Sequence, residues 1–332
     1  MTANHENVSI LSKMPLITNT TYSGPSVLFN GHLQTIFPAL FRKHLSLPFD
    51  RERITTPDGD FLDLDWLCQD SKKLVIICHG LEGDSRRPYM RGMAKHFFQN
   101  KYDVLTWNFR GCSGELNIRP FFYHSGATYD LQTVIDHAEG KYAQIYLIGF
   151  SLGGNLTLKY LGEPLPKSSK IKKAVAISAP LHLKSSCTKI SNKENLIYSN
   201  RFLKTLKVKV RQKALMFPDE LSIEGLYKIK TLKEFDDKFT GPMHGFRDAD
   251  HYYDQCSSLY FLDGITIPTL ILNAKNDPFL SEKCFPVEKA HSLEKVFMEF
   301  PEIGGHVGFT PRKRKEIYWS ENRAFEFIDS DD

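Results

Sequence analysis

The chain has 332 residues, 41% of them hydrophobic and 25% charged, with a formal net charge of +4. That balance fits a globular protein with a large core and excludes a low-complexity or collagen-like chain. So small a net charge gives no reason to expect nucleic acid as a partner. Six cysteines (Cys68, Cys78, Cys112, Cys187, Cys256, Cys284) are scattered without a Cys-x-x-Cys pair. Several sit in apolar runs and read as reduced thiols, which points to a cytoplasmic protein. Residues 1–12 are polar and lack the apolar core of a signal peptide. No run approaches the roughly 18 consecutive apolar residues of a membrane span.

Residues 1–22 read as a loosely packed arm, and a boundary falls near residue 28. The stretch Phe29 to Pro38 predicts a turn at Asn30-Gly31 and a short helix stopped by Pro38. His32 there reads as a packed surface histidine. Arg53 to Thr56 and Phe61 to Leu67 flank the turn Pro57-Asp58-Gly59-Asp60. Leu62, Leu64 and Trp66 alternate with Asp63 and Asp65, which predicts an antiparallel edge hairpin with one wet face. Leu74 to Cys78 is a continuous apolar run, as central parallel strands are, and it ends in His79-Gly80-Leu81-Glu82-Gly83. A helix over Pro88 to Gln99 and a strand over Tyr102 to Phe109 follow. The loop Arg110-Gly111-Cys112-Ser113-Gly114 then leaves the carboxyl end of that strand, where α/β sheets bind ligands. Tyr129 to Glu139 is helical by spacing, with Asp130 and Asp136 expected as surface charges.

Ile145 to Ile148 predicts a buried strand, Asn155 to Leu161 a helix, and between them stands Gly149-Phe150-Ser151-Leu152-Gly153. Strand, Gly-x-Ser-x-Gly turn and helix in that order are the setting of a nucleophile elbow. The turn lifts the serine oxygen clear of the backbone, and the helix aims its first N–H groups where negative charge develops. Ala174 to Ser178 is another buried strand. From Leu181 to Leu262 no such strand recurs, and helices are expected over Lys184 to Gln212, Tyr227 to Phe239 and Ala249 to Leu259. So long an insertion is no bare loop and reads as a helical cap. Its Leu196, Tyr198, Phe202, Leu203, Phe235, Phe246, Tyr252 and Tyr253 are candidates for the floor of a pocket or for plain cap packing. The basic clusters Lys207 to Lys213 and Pro311 to Lys315 read as solvated faces, with a weak peripheral attraction to anionic membrane as the sharper alternative. The sheet resumes at Ile267 to Ala274 and Val296 to Phe300, and a helix over Arg312 to Phe327 closes the chain. The expected organisation is an arm (1–28), a core (29–180), a cap (181–262) and the rest of the core (263–328).

A serine nucleophile needs a base, and the base an orienting group. Asp277 follows one late strand and His306, among Gly304, Gly305 and Gly308, follows the next. The order Ser151, Asp277, His306 is the order this fold requires. Asp263 and Asp254 are rival acids, and His291, His251 and His244 rival bases. The N–H groups of Leu81 and Leu152 are the expected oxyanion donors. Gly80, Cys112 and Phe246 are candidate pocket residues. No His-Glu-x-x-His, paired cysteine ligands or glycine-rich phosphate loop occurs, so neither metal nor nucleotide cofactor is expected.

With these residues in place the chain resembles the YheT-like α/β-hydrolases, a family related to eukaryotic lipases, phospholipases and alcohol acyltransferases. The likeness runs from Asn30 to Phe327. It is carried by Asn30-Gly31-His32-Leu33-Gln34-Thr35, His79-Gly80-Leu81-Glu82-Gly83, Asn108-Phe109-Arg110-Gly111-Cys112 and the elbow. Thr231-Leu232-Lys233-Glu234-Phe235-Asp236, Tyr252-Tyr253, Asn276-Asp277-Pro278 and Gly304-Gly305-His306-Val307-Gly308 complete it. The resemblance implies an α/β-hydrolase fold with a mostly parallel sheet, helices on both faces and an inserted helical cap. It also implies the triad Ser151, Asp277 and His306, and a small-molecule ester or lipid substrate with a small to medium acyl group. An acyltransferase passing the acyl group to an alcohol, or a non-catalytic ligand-binding protein of the same fold, are the alternatives.

Overall fold

The computed structural model describes residues 15–43, 45–313 and 316–330. Residues 1–12, on which the signal-peptide reading falls, and Arg314 and Lys315 of the second basic cluster lie outside these.

Nine strands form one sheet: β1 (Leu16–Ile17), β2 (Asp50–Thr55), β3 (Phe61–Leu67), β4 (Lys73–Cys78), β5 (Asp103–Asn108), β6 (Gln144–Phe150), β7 (Ile171–Ile177), β8 (Thr269–Leu272) and β9 (Val296–Glu299). Their order is β1-β9-β8-β7-β6-β4-β5-β3-β2. Only β3 runs antiparallel to its neighbours. The central strands are apolar on both sides because both faces are covered. Leu74, Ile76, Leu105, Leu147, Ala174 and Ile271 face one core. Val75, Ile77, Val104, Ile148, Val175 and Leu270 face the other.

The helices are α1 (Gly31–Phe41), α2 (Pro88–Gln99), α3 (Thr128–Glu139), α4 (Leu152–Gly162), α5 (Leu183–Ile190), α6 (Leu196–Met216), α7 (Leu232–Phe235), α8 (Gly241–Met243), α9 (Ala249–Cys256), α10 (Val287–Ala290) and α11 (Trp319–Asp329). Met90, Met93 and Phe97 of α2 and Phe327 of α11 fill the second core. Leu131 and Ile135 of α3 and Leu156 of α4 fill the first. Leu203, Val210, Phe235 and Phe239, from between β7 and β8, join that first core.

The structure departs from the sequence expectations in several places. Part of the expected loose arm is packed: Leu16 and Ile17 add a parallel strand to β9, and the buried Tyr22 donates its hydroxyl to the Thr310 carbonyl at 3.1 Å. Pro38 lies inside α1 rather than ending it. The carbonyl its missing N–H cannot engage, that of Gln34, faces Gly308, where a Cβ would stand 2.2 Å from it. The hairpin β2–β3 has no wet acidic face, because Arg51 and Arg53 cover Asp65 and Asp63 with bidentate pairs at 2.7–3.0 Å. Asp130 is buried, not a surface charge, and pairs with Arg110 at 2.7 Å.

The long helix expected from Lys184 is broken between α5 and α6. Asn195 holds the break by donating to the carbonyls of Lys189 (2.9 Å) and Pro278 (2.7 Å). The run Lys207 to Lys213 is not a solvated face either. Lys207 donates to the Ile229 carbonyl, Lys209 to Glu82, and the buried Lys213 to the carbonyls of Asn117 and Arg119.

Candidate active site

The elbow rests on close backbone approach. Ser151 sits at φ 52°, ψ −118°, a strained conformation for a non-glycine residue. It is held by its own N–H donating to the Ile177 carbonyl at 2.9 Å and its carbonyl accepting from Asn155 N–H at 3.0 Å. Glycine is required on either side. A Cβ at residue 149 would stand 2.3 Å from the Gly153 carbonyl oxygen, and one at residue 153 would stand 2.5 Å from that of His79.

The structure brings Ser151, His306 and Asp277 together. Ser151 Oγ lies 2.9 Å from His306 Nε2, and His306 Nδ1 lies 2.8 Å from Asp277 Oδ2. Asp277 is buried, and its other oxygen accepts the Phe279 N–H at 2.8 Å. The Phe279 ring packs 4.2 Å from the His306 ring. The rivals stand apart: Asp263 pairs with Lys289 at the surface, Asp254 and His291 are exposed, and His251 accepts the Arg247 N–H. His244 lines the cavity but packs on His124, 4.3 Å between centroids with the rings tilted by 45°.

Leu81 N–H has no acceptor among the described residues, and Leu152 opens α4, where the first N–H groups lack intrahelical partners. The turn bearing Leu81 abuts the serine: a Cβ at Gly80 would stand 3.1 Å from Ser151 Cβ. His79 fixes that turn. Its Nε2 accepts the Phe109 N–H at 3.0 Å, so the proton sits on Nδ1, which donates to the Gly80 carbonyl at 2.8 Å. Burial pushes its pKa down to about 4, so it stays neutral.

Three groups around the site carried no sequence expectation. Glu82, at φ 52°, gives its N–H to the Tyr123 hydroxyl at 2.8 Å. Its carboxylate accepts from Tyr123 at 2.9 Å and from Lys209 of α6 at 2.8 Å. Gln34 and Thr35, on the buried face of α1, hold the two late loops in register. Gln34 Oε1 accepts from Gly304 N–H (2.7 Å) and Asn276 Nδ2 (3.0 Å), and Thr35 Oγ1 accepts from His306 N–H (2.9 Å). The available signal was two adjacent polar residues, 34 and 35, within a mostly apolar helix that also carries Phe37, Leu40 and Phe41.

A cavity of about 150 Å³ opens on Ser151 and His306. Of the expected pocket aromatics, Phe202, Phe235, Tyr252 and Tyr253 line it. Leu203 is in the core, Leu196 is exposed, and Tyr198 packs between His32 and Phe279. Gly80, Cys112 and Phe246 are not among the lining residues: a Cβ on Gly80 would stand 3.1 Å from Ser151 Cβ. Cys112 lies behind the wall, 3.2 Å from Lys209 Nζ, and Phe246 packs on His124 and Tyr252. The cavity is mostly apolar, and besides Glu82 it is lined by a second carboxyl, Asp236, at the head of a π-helical turn (residues 236–240). Tyr253 and Thr240 each donate to it at 2.6 Å, and burial pushes its pKa up to about 6. Such turns often mark functional positions in helices.

The comparison with known proteins agrees with this architecture. A family model of the alpha/beta hydrolase fold matches residues 73–310. YheT of Escherichia coli (strain K12) is 36% identical over 293 residues, 84% of this chain and 84% of its own. Phospholipase ABHD3 of Bos taurus is 31% identical over 308 residues, 89% of this chain and 74% of that protein. Among solved structures, the Pyrococcus furiosus esterase Pf2001 matches with a TM-score of 0.56 at 20% identity, over 94% of this chain and 98% of that one, a likeness of fold alone. Nine mostly parallel strands, an elbow after β6 and a sequence match through most of its length make this chain a member of the α/β-hydrolase family, in its YheT-like group.

Proposed function

We propose that the chain is a serine hydrolase of carboxylic esters, acting on short- to medium-chain acyl esters or lipid esters through an acyl-enzyme. The observation that carries this reading is the continuous hydrogen-bonded line from Ser151 Oγ through His306 to the buried Asp277, at the mouth of an apolar cavity. Ser151 Oγ attacks the ester carbonyl carbon while His306 Nε2 takes its proton. Asp277 holds the Nδ1–H and steadies the imidazolium. The N–H groups of Leu81 and Leu152 hold the developing oxyanion. The alcohol leaves with the proton from His306. Water then gives a proton to His306, attacks the acyl carbon and releases the acid, and Ser151 recovers its proton.

The cavity supports modest acyl groups, since about 150 Å³ in an apolar interior accommodates a group near the size of benzene. The bovine relative's name, a phospholipase, lies in the same reaction class. The test is a p-nitrophenyl ester series from acetate to palmitate with wild type and Ser151→Ala side by side. Turnover should peak at short to medium chains and fall by roughly 10⁴-fold or more in the variant. Full turnover in Ser151→Ala would sink the proposal. Added ethanol, with the products separated, reads any transfer to an alcohol.

A further inference from the structure

Helix α1 is amphipathic in the wrong sense. Its buried residues are Gly31, Gln34, Thr35 and Pro38, while Phe37, Leu40 and Phe41 point outward at 40%, 64% and 65% exposure. Val27 and Phe29, just before it, are 76% and 78% exposed. These are not scattered single residues. Phe37 and Phe41 pack with ring centroids 5.2 Å apart, tilted by 41°, and Phe37, Phe41, Val27 and Ile317 line one groove. A contiguous apolar patch on a protein surface marks an interaction site. Its surroundings are basic: Arg42, Lys43, Lys95 and Arg312 border the groove against Glu316 and Glu321, and Glu321 is paired with Arg42. Lys43 and Arg312 are exposed.

We propose that the outer face of α1 is a docking surface for an anionic lipid bilayer. An apolar ridge of aromatic and leucine side chains rimmed by cations is what lies in the headgroup boundary of such a membrane. Among the described residues no helix is long and apolar enough to cross one. The position of the patch gives the contact a purpose. The inner face of α1 holds His306 N–H through Thr35, and His32 at its start meets Tyr198, which packs on Phe279 beside His306. A bilayer seated on α1 therefore lies next to the site, which matters if lipid esters are the substrate; this step rests on the reading given above.

The test is co-sedimentation of the full chain with vesicles of phosphatidylcholine alone and of phosphatidylcholine with a minority of phosphatidylglycerol. Wild type should partition to the anionic vesicles, and the triple variant Phe37→Ser/Leu40→Ser/Phe41→Ser should bind them about tenfold or more weakly. Both should hydrolyse a dissolved short ester equally, which also reports that the variant folds. Lys43→Glu/Arg312→Glu, which leaves the apolar ridge in place, should abolish the preference for phosphatidylglycerol. Undiminished binding by the triple variant, absence of wild-type binding, or light scattering that finds a wild-type dimer and a triple-variant monomer each overturns the proposal. The vesicle measurement repeated with Ser151→Ala keeps the two questions apart. Failure of soluble-ester turnover would remove the esterase reading and leave the binding result standing.

Discussion

Thr35 shows how a side chain that never meets substrate can govern a reacting one. Its hydroxyl donates to the Gly31 carbonyl and accepts the N–H of His306. The imidazole must keep its Nε2 on Ser151 while its loop passes through unusual backbone at Gly305 (φ 63°) and Val307 (φ 55°). Ser178 takes the next N–H, that of Val307, at 2.9 Å. Thr35→Val removes one of these two anchors and leaves the His306 N–H unpaired, at a cost of about 1–3 kcal/mol. The expected outcome is a roughly tenfold lower kcat with KM nearly unchanged, because placement of the base degrades while the cavity does not. Thr35→Ser, which keeps the oxygen, should restore the rate. Equal losses in both variants would show that the methyl group, not the acceptor, is what matters.

At the scale of elements, α6 and the turn after β4 are joined by Lys209 and Glu82. The lysine reaches from the segment between β7 and β8 to the turn bearing Leu81, and Tyr123 binds the same carboxylate. Burial works against the lysine charge, and Cys112 and Glu82 more than offset it, leaving its pKa raised. Truncation of one partner strands the other, which costs roughly 3–5 kcal/mol in a fully buried pair. Here the side chains retain 16% and 7% exposure, so Lys209→Met should cost about 2–3 kcal/mol in chemical denaturation. Because the turn also carries a proposed oxyanion donor, kcat should fall with it. Lys209→Arg should recover much of both. The double variant with Glu82→Gln should be less impaired than the two single losses added together. Strict additivity would mean that the contact carries no coupling.

Across the whole molecule, what could be read from the sequence divides by the range of the interaction. Strands β4, β6, β7 and β8 were legible because burial on both faces makes them short uninterrupted apolar runs. Ser151 and Asp277 stood out because each follows such a strand, and His306 because it follows the next strand, β9, among glycines. Local pattern could not show that Leu16 pairs beside Met298, that α1 turns its polar face inward, or that Lys213, Asp63 and Asp130 are buried. Asp63 finds its partner, Arg53, across its own hairpin, but Lys213 and Asp130 find theirs on other elements.

Arg110 is the fullest example of such a distant partner. It pairs with Asp58 (2.7 Å) and Asp60 (3.1 Å) of the β2–β3 turn and Asp130 (2.7 Å) of α3. Asn117, which donates to Asp60, has its own carbonyl bound by Lys213 of α6, so one buried network ties edge hairpin, core and α6 together. Arg110→Met should destabilise the protein by about 3–5 kcal/mol at neutral pH, since it strands buried carboxylates. The pH dependence has a definite sign. Asp58 loses solvation on folding, but its bonds to Arg110 and Thr56 outweigh that and hold its pKa down at about 2 from an ordinary 3.8. Its stabilising contribution is therefore present above about pH 4 and is lost as pH falls through about 2. Asp130 goes the other way: burial raises its pKa despite Arg110, so its ionised form costs stability at neutral pH. Without the guanidinium both carboxyls take up protons more readily in the folded state. The gap between wild type and Arg110→Met should then be widest at pH 7 and narrow steadily on acidification. Denaturation curves for the two proteins at pH 7, 5 and 3 measure it, and a gap that stays constant would show that the loss comes from packing around the arginine rather than from its charge.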